Sequence, residues 1–218
     1  MRYTIRKVIF GILALTRSSK RDSKPSHRRK SAANSGNIRV IAGQWRGRKL
    51  PVLDAQGLRP TTDRTKETVF NWLMQAIPGA RCLDLFSGSG GLGIEALSRY
   101  AEHVVMIEKS QSTYEQLRKN IISLKVSDKQ CSLLHQDGLA YLNDTSDAFD
   151  IIFLDPPFNQ QLLQPAIKSI LERNVLNTGG LIYIESEKAL ADIGSAFNLN
   201  LRKQKTTDQV AFSLWEAD

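Results

Sequence analysis

The sequence predicts a doubly wound α/β fold, in which helices cover both faces of a mostly parallel sheet. In residues 81–186, short and continuously apolar runs alternate with helical patterns, and such runs are typical of strands buried on both faces. Residues 199–216 have the pattern of two strands joined by a polar turn. We therefore expect a parallel sheet with an antiparallel edge strand from a C-terminal hairpin. Ligands of such sheets bind at the carboxyl ends of the strands.

Two short strands and one helix are predicted ahead of that sheet. The strands are expected at 38–43 and 48–53, and the helix lies between 59 and 79, where a Pro-Gly pair ends it. Thr62 or Asp63 is suited to cap this helix, because a short polar side chain can accept hydrogen bonds from the first amides. The apolar face of the helix would consist of Val69, Phe70, Leu73 and Ile77.

The rest of the chain supplies the sheet and its covering helices. Strands are predicted at 81–86, 103–109, 131–137, 149–155 and 179–186. Helices are predicted at 92–100, 112–124 and 160–176, the last one starting afresh near Pro165. Ser112 and Glu115 have the spacing of a capping box for the second of these helices. Its apolar stripe would hold Tyr114, Leu117, Ile121 and Leu124.

The composition excludes several classes of protein. With 218 residues, 41% hydrophobic and 24% charged, the chain suits one globular domain with extensions. The two cysteines, Cys82 and Cys131, lie in apolar runs, which argues against a disulfide scaffold and for a reducing compartment. The three histidines are scattered without the spacing of metal ligands, so we expect no metal site.

The positive charge of the chain is concentrated at its N terminus. Residues 1–37 hold ten Lys or Arg and one acid, whereas the remainder holds twenty basic and twenty-one acidic residues. The apolar run 8–15 imitates a short signal peptide, and the serines and basic residues after it resemble an organellar transit peptide. The run is too short to span a membrane. We interpret residues 1–37 as a basic, disordered extension or the product of an upstream start codon.

Three glycines follow the first strand of the predicted sheet. Gly88, Gly90 and Gly93 have the spacing G-x-G-x-x-G between a strand and a helix, and Glu108 ends the next strand. Glycines allow a tight turn and a close approach of the backbone to a ligand. The pattern predicts a nucleotide site, and by itself it also fits an NAD-dependent oxidoreductase.

Two further carboxylates favour S-adenosyl-L-methionine over NAD. Asp84 lies at the end of the first strand, where it would repel a pyrophosphate but would suit the ammonium group of a methionine moiety. Asp137 ends the third strand and is placed to accept a hydrogen bond from an adenine amino group. Glu108 can accept both ribose hydroxyls in either class of cofactor, so it does not discriminate.

The fourth strand ends in the sequence Asp155-Pro156-Pro157-Phe158, which cannot extend a sheet because proline has no N–H to donate. In this fold the fourth strand neighbours the first, so the corner is expected beside the sulfonium methyl. An amino group on an aromatic base is a poor nucleophile, because its lone pair is delocalised into the ring. The Asp155 carboxylate and the Pro156 carbonyl can each accept one N–H and hold the nitrogen tetrahedral, while Phe158 offers a face for stacking.

The motifs LDLFSGSG and DPPF resemble those of amino-directed S-adenosylmethionine methyltransferases. With RVIAGQWRGRKL and LRPTTDRTKETVFNWL ahead of them, the chain resembles the RsmD family over residues 38–216. This resemblance implies a Rossmann-like class I methyltransferase that modifies the exocyclic N2 of one guanine in 16S ribosomal RNA, within the small ribosomal subunit. It also implies a cytoplasmic site of action, and we expect a monomer without membrane attachment. Residues 1–37 have no counterpart in the family.

The resemblance assigns roles to individual residues of a catalytic domain at 81–218. The cofactor would be bound by Asp84, Phe86, Gly88, Gly90, Glu108 and Asp137, and the catalytic corner would be Asp155, Pro156, Pro157 and Phe158. Residues 38–80 are expected to contact RNA, because the stretch 39–50 carries four basic residues and no acid. The candidates are Arg39, Trp45, Arg46, Arg48, Lys49 and Arg59. Trp45 can stack on a base or pack beneath its own turn.

Other functions remain open at this point. DNA adenine-N6 and protein glutamine methyltransferases use a similar Asp/Asn-Pro-Pro-aromatic turn. The DNA enzymes usually carry a long target-recognition insertion, which this sequence lacks, and the glutamine enzymes more typically show Asn first and a separate helical N-terminal domain. An NAD-dependent oxidoreductase would leave the DPPF corner unexplained. An RNA-binding module with a vestigial cofactor site is a further alternative.

Overall fold

The structure, a computed structural model, describes residues 35–53 and 62–217. The strands are β1 (Ser35–Arg39), β2 (Lys49–Leu53), β3 (Arg81–Asp84), β4 (His103–Glu108), β5 (Cys131–His135), β6 (Phe149–Leu154), β7 (Leu176–Glu187), β8 (Asn200–Thr206) and β9 (Val210–Glu216). The α-helices are α1 (Asp63–Trp72), α2 (Gly91–Ser98), α3 (Gln111–Ser123), α4 (Gly138–Asp144) and α5 (Leu163–Glu172). Short 3-10 helices span Lys188–Leu190 and Ile193–Phe197.

Seven strands form one sheet in the order β5-β4-β3-β6-β7-β9-β8. The pairs from β5 through β7 are parallel, and β9 is antiparallel to both of its neighbours, β7 and β8. The predicted doubly wound fold with a C-terminal hairpin is therefore confirmed. The antiparallel strand of the hairpin, β9, lies inside the sheet, and β8 forms the edge. Because β3 pairs with both β4 and β6, the chain reverses its direction of winding there, and a ligand crevice is expected at that point.

The two faces of the sheet carry separate hydrophobic cores. One core contains apolar residues of α1, α2 and α3 together with β1 and β2, and the other contains residues of α4 and α5. The predicted apolar face of α1 is confirmed, since Val69, Phe70, Leu73 and Ile77 are all buried. Helices thus cover both faces, which explains why the central strands are apolar without alternation.

A hairpin of β1 and β2 lies on α2 and α3 and forms its own two-stranded antiparallel sheet. Its main anchor is Glu95 of α2, a carboxylate with only 1% of its surface exposed. Glu95 accepts hydrogen bonds from the backbone amides of Ile41 and Ala42 at 2.8 and 3.0 Å, and from Arg99 Nε at 2.8 Å. A buried carboxylate with three donors is adequately compensated, so the hairpin is fixed to α2 rather than loosely attached.

Several predicted boundaries were wrong. Helix α1 ends at Trp72 and not at the Pro-Gly pair, because the chain leaves helical geometry at Leu73 and continues in turns that still bury Ile77. The capping box at Ser112 and Glu115 is absent, since the N-cap of α3 is Ser110 and Glu115 instead accepts a hydrogen bond from Gln111. By contrast, Thr62 caps α1 as predicted, and its hydroxyl accepts from the Thr65 amide at 3.2 Å.

Other differences concern elements that the sequence did not predict. Helix α4 and the two 3-10 helices were missed, because each is at most seven residues long and too short to show a clear period. Strand β1 begins at Ser35, so residues 35–37 belong to the hairpin and not to the N-terminal extension. The rest of the predicted extension lies outside the described residues. Within the described part of the chain, none of the helices is long and apolar enough to cross a membrane.

Candidate active site

A cavity of about 1130 Å³ opens at the carboxyl ends of the central strands. One part of its lining follows β3, β4 and β5, and the other consists of the start of α1, the DPPF corner after β6, the end of β7 and the β8–β9 turn. The cavity therefore occupies the point where the winding of the sheet reverses, as expected for this fold. Its volume exceeds what a single nucleotide-sized ligand requires.

The glycine loop between β3 and α2 needs glycine because its neighbours are too close for a side chain. Gly90 has a positive φ of 82°, and a Cβ atom there would lie 2.4 Å from Leu117 Cδ1. At Gly93 a Cβ atom would lie 2.7 Å from Met106 Cε. Glycine is therefore required at position 90, where the left-handed backbone adds to the close approach, whereas a side chain at position 93 would have to displace the flexible end of Met106.

The amides of this loop are already used within the protein. Gly88 N donates to Glu108 Oε2 at 2.8 Å, and Gly93 N donates to Asp84 Oδ2 at 2.9 Å. Gly90 N donates to a backbone carbonyl at 2.7 Å. A pyrophosphate bound here could not use these three amides as hydrogen-bond donors, and it would lie against the carboxylate of Glu108. The arrangement therefore lacks the free amide donors that the pyrophosphate of NAD requires.

Glu108 ends β4 and lines the cavity. Its second oxygen, Oε1, accepts a hydrogen bond from Ser110 N at 2.6 Å, so both oxygens are held in place by backbone amides. Each carboxylate oxygen has two acceptor sites, so each has the capacity to accept a further hydrogen bond from a ligand. Two hydroxyl donors side by side, such as a ribose diol, match this acceptor.

Asp137 lies two residues beyond the end of β5, because this strand stops at His135. It is the N-cap of α4, where Oδ1 accepts hydrogen bonds from Leu139 N and Ala140 N at 3.0 and 3.2 Å. Lys109 Nζ lies 3.0 Å from Oδ2 and holds the pKa of this carboxyl below its usual range. Asp137 lines the cavity, so its capping role leaves it in reach of a ligand.

Asp84 is placed differently from the sequence prediction. The residue ends β3, but its side chain is 1% exposed and does not line the cavity. Burial, reinforced by the nearby charge of Glu108, raises the pKa of this carboxyl to about 7, although the amide of Gly93 works in the other direction. Asp84 therefore holds the glycine loop from behind. Gly90 also lies outside the lining, whereas Phe86 and Gly88 are part of it.

The DPPF corner lies in the cavity as a unit. Asp155, Pro156, Pro157 and Phe158 all contribute to the lining, next to the end of β6. The corner is tied to β7, because Asn159 N donates to Glu187 Oε1 at 2.6 Å. Since β3 and β6 are adjacent parallel strands, the corner and the glycine loop emerge side by side at the same edge of the sheet.

Part of the cavity wall consists of residues that were not predicted from the sequence. The first turns of α1 contribute Thr62, Arg64, Thr65 and Thr68, and the far wall contributes Glu185, Lys205, Thr207 and Phe212. Glu185 showed the same signal as Glu108, an acid at the end of an apolar run, and could have been found in this way. No local sequence pattern predicts that α1 lies at the cavity, because its position depends on packing against strands that are distant in sequence.

Several of the predicted RNA-contacting residues belong to the hairpin tip, residues 40–48 between β1 and β2. This tip lies away from the cavity. Trp45 is partly buried and packs on the core, and its amide donates to Ser98 Oγ at 3.1 Å. Arg48 Nη2 donates to the Ser123 carbonyl at 3.4 Å. Ser98 and Ser123 are the last residues of α2 and α3. Both helices begin at the end of the sheet where the cavity opens. The hairpin tip therefore lies near the opposite ends of the strands, away from the cavity.

The remaining candidates within the described ranges are exposed, and one of them forms an ion pair. Arg46 and Lys49 are exposed. Arg39 Nε lies 3.0 Å from Asp63 Oδ2, near the start of α1. Arg59 lies outside the described residues. Within the described ranges, no group of three or more His, Cys, Asp or Glu residues could hold a metal ion.

Comparison with known proteins gives matches over both the hairpin and the sheet. Residues 38–216 match the family described as Conserved hypothetical protein 95. The Ribosomal RNA small subunit methyltransferase D of Haemophilus influenzae is 48% identical over 183 residues, or 83% of this chain and 94% of the relative. The protein of the same name from Escherichia coli strain K12 is 43% identical over 195 residues, or 89% and 95%. A solved structure of a putative methyltransferase from Escherichia coli is 40% identical with a TM-score of 0.75, and the match covers 84% of this chain and 99% of that one.

Proposed function

Since the chain belongs to the RsmD family of methyltransferases, we propose that it methylates the exocyclic N2 amino group of one guanine in 16S ribosomal RNA, within the small ribosomal subunit. Its cofactor is S-adenosylmethionine, which supplies an electrophilic methyl group on a positively charged sulfur. The observation that carries the proposal is that the glycine loop and the DPPF corner line one cavity.

The first part of the cavity is suited to hold the cofactor. Glu108 would accept hydrogen bonds from the ribose hydroxyls, and Asp137 would accept one from the adenine amino group. Phe86 and Gly88 line the same region and would contact the nucleoside. Asp84 acts as a positioning residue, because it fixes the amide of Gly93 and with it the loop.

The corner orients the amino group that is methylated. The Asp155 carboxylate and the Pro156 carbonyl would each accept one N–H of the target, so that the nitrogen lone pair points away from the ring and towards the methyl group. Phe158 would stack on the base and keep it in line. A strong base is unnecessary, because an N-alkylated aromatic ammonium is very acidic and loses its proton readily.

The second part of the cavity supports a nucleic acid as the partner. Arg64 and Lys205 line it, and β8 is exposed along its whole length and carries Arg202 and Lys203 as well. Cations beside the corner can contact the phosphates that flank a target nucleotide. A paired guanine hides its amino group, so the enzyme must act on an unpaired or extruded base.

The test is to identify the methylated nucleoside. Small subunits from cells that lack this methylation are incubated with the protein and methyl-labelled S-adenosylmethionine, and the RNA is then digested to nucleosides. We expect the label in N2-methylguanosine from 16S ribosomal RNA. Label in N6-methyladenosine, in protein, or in no product would refute the proposal.

A further inference from the structure

A second carboxylate lies beside Asp155 in the cavity. Leu154 of β6 pairs with Ile184 of β7 in a parallel register, so the next residues, Asp155 and Glu185, follow side by side on neighbouring strands. Residues that pair in register point to the same face of a sheet, and both line the cavity. The corner therefore presents two acidic groups to a bound base.

The carboxylate of Glu185 is held in a fixed orientation by a buried phenol. Tyr183 Oη donates a hydrogen bond to Glu185 Oε2 at 2.9 Å, and Tyr183 is completely buried. Burial, together with the charges of Glu185 and Asp155, raises the pKa of Tyr183 well above its usual value. The phenol therefore stays protonated and remains a donor. A carboxylate has about four acceptor sites, so it can accept hydrogen bonds from several donors at once.

We propose that Glu185 selects guanine by accepting the N1–H of the target base while Asp155 and the Pro156 carbonyl hold its N2 amino group. This inference rests on the proposed function. Guanine carries hydrogen-bond donors at both N1 and N2, which match two adjacent acceptors that cannot donate. Adenine has a lone pair at N1, so a carboxylate that faces this nitrogen would be repelled by it and would accept no hydrogen bond from that position. A site that is built to accept a hydrogen bond from one base rejects a base without that donor more effectively than a site that selects by shape alone.

The neighbourhood of Glu185 agrees with a role in base recognition. Glu185 pairs in register with Phe212 of β9, whose ring also lines the cavity, and Phe212 lies 5.7 Å from Trp72 of α1 between ring centroids. The wall around Glu185 thus combines an aromatic ring with Lys205 of β8, which pairs with Phe212 on the other side. An aromatic surface accepts a flat base, and the carboxylate beside it can distinguish bases by the hydrogen-bonding groups along the edge of the base.

The experiment compares two target bases that both carry an N2 amino group. Small subunits are reconstituted with either guanine or 2,6-diaminopurine at the methylated position, since diaminopurine keeps the amino group but has a lone pair at N1. We expect wild-type protein to prefer guanine in single-turnover kcat/KM by roughly 10- to 100-fold, the discrimination that one well-made base contact supplies. In Glu185→Gln the amide can turn its NH₂ towards N1, so the preference should fall to within a few-fold of unity.

Two further variants make the result specific. Tyr183→Phe removes the hydroxyl that orients Glu185 and should lower the preference by a smaller factor. Glu216→Gln, a change of the same kind in β9 outside the cavity lining, should keep the wild-type preference. If Glu185→Gln is inactive on both substrates, the preference of Tyr183→Phe decides.

The two hypotheses fail in different ways. If wild-type protein methylates guanine and the guanine preference is unchanged in Glu185→Gln, or in Tyr183→Phe when that variant decides, the role of Glu185 is refuted and the proposed function stands. If wild-type protein does not methylate guanine subunits, the proposed function falls and this inference falls with it.

Discussion

The carboxylate of Asp84 accepts a hydrogen bond from the amide of Gly93 at 2.9 Å, and this bond joins the end of β3 to the first turn of α2. The glycine loop between them lies at the cavity, whereas Asp84 is buried behind it. The anchor of the glycine loop is therefore a carboxyl group whose pKa is raised to about 7 by burial.

The first prediction follows from this pKa and concerns stability without cofactor. Between the ordinary pKa of 3.8 and the folded value of about 7, the folded protein keeps a proton that the unfolded chain has released. The free energy of unfolding should therefore fall as pH rises through this window, by on the order of 4 kcal/mol from this group. Urea unfolding of wild type and Asp84→Asn across pH 4 to about 8 measures the difference.

The control for this experiment is Asp208→Asn, which changes an exposed carboxylate in the β8–β9 turn. The control should follow the wild-type pH dependence, and Asp84→Asn should lack the decline. If wild type and Asp84→Asn showed parallel curves, the buried carboxyl would not titrate in this range.

The second prediction concerns the affinity for S-adenosylmethionine. Glu108→Ala removes acceptors for the ribose and also releases the amides of Gly88 and Ser110. Loss of a hydrogen bond to a charged group costs roughly 1.5–3 kcal/mol, so the dissociation constant should rise about ten- to a hundred-fold. Isothermal calorimetry measures it, with the exposed Glu102→Ala as a control of equal size. Near-wild-type affinity of Glu108→Ala would show that this strand end does not bind the cofactor.

The third prediction concerns where the RNA is held. We expect the combined change of Arg46, Arg48 and Lys49 to alanine to abolish productive methylation and to spare cofactor binding, because these cations would contact phosphates. These cations lie at the end of the sheet opposite the cavity, so the bound RNA would have to extend along the protein from the cavity to the hairpin tip. Single-turnover methylation of small subunits across a salt series tests this, with Lys168→Ala/Arg173→Ala in and after α5 as the control.

Removal of residues 1–34 completes the third test, and it leaves β1 intact. The loss of this basic segment should weaken RNA binding modestly at low salt and leave the methylated nucleotide unchanged. If this deletion abolished activity while the triple variant kept it, recognition would lie in the N-terminal segment and not in the hairpin.

The fold and much of the cavity lining could be predicted from the sequence because the signals are local. Continuous apolar runs indicated the strands, and an acid marked the carboxyl end of some of them, as at Glu108 and Asp155. Neighbouring parallel strands end at one edge of a sheet, and this rule alone is enough to bring these residues together.

The remaining features depend on contacts between distant parts of the chain. Asp84 has the same sequence signal as Glu108, but the packing of α2 covers it, so its burial could not be predicted from its neighbours. The hairpin tip faces the opposite edge because Glu95 and Ser98 of α2 bind it there, and neither residue is close to it in sequence. Short helices such as α4 contain too few residues to show the hydrophobic periodicity from which helices are predicted.

The most direct test of the account is single-turnover methylation by Asp155→Ala, measured together with its affinity for S-adenosylmethionine. If Asp155 holds the target amino group, the variant should bind the cofactor within a few-fold of wild type and lose about 10²- to 10³-fold in methyl transfer. Asp155→Asn should retain partial activity, because its amide oxygen still accepts one N–H. Methyl transfer by Asp155→Ala at the wild-type rate would contradict the account and leave the corner a purely structural feature.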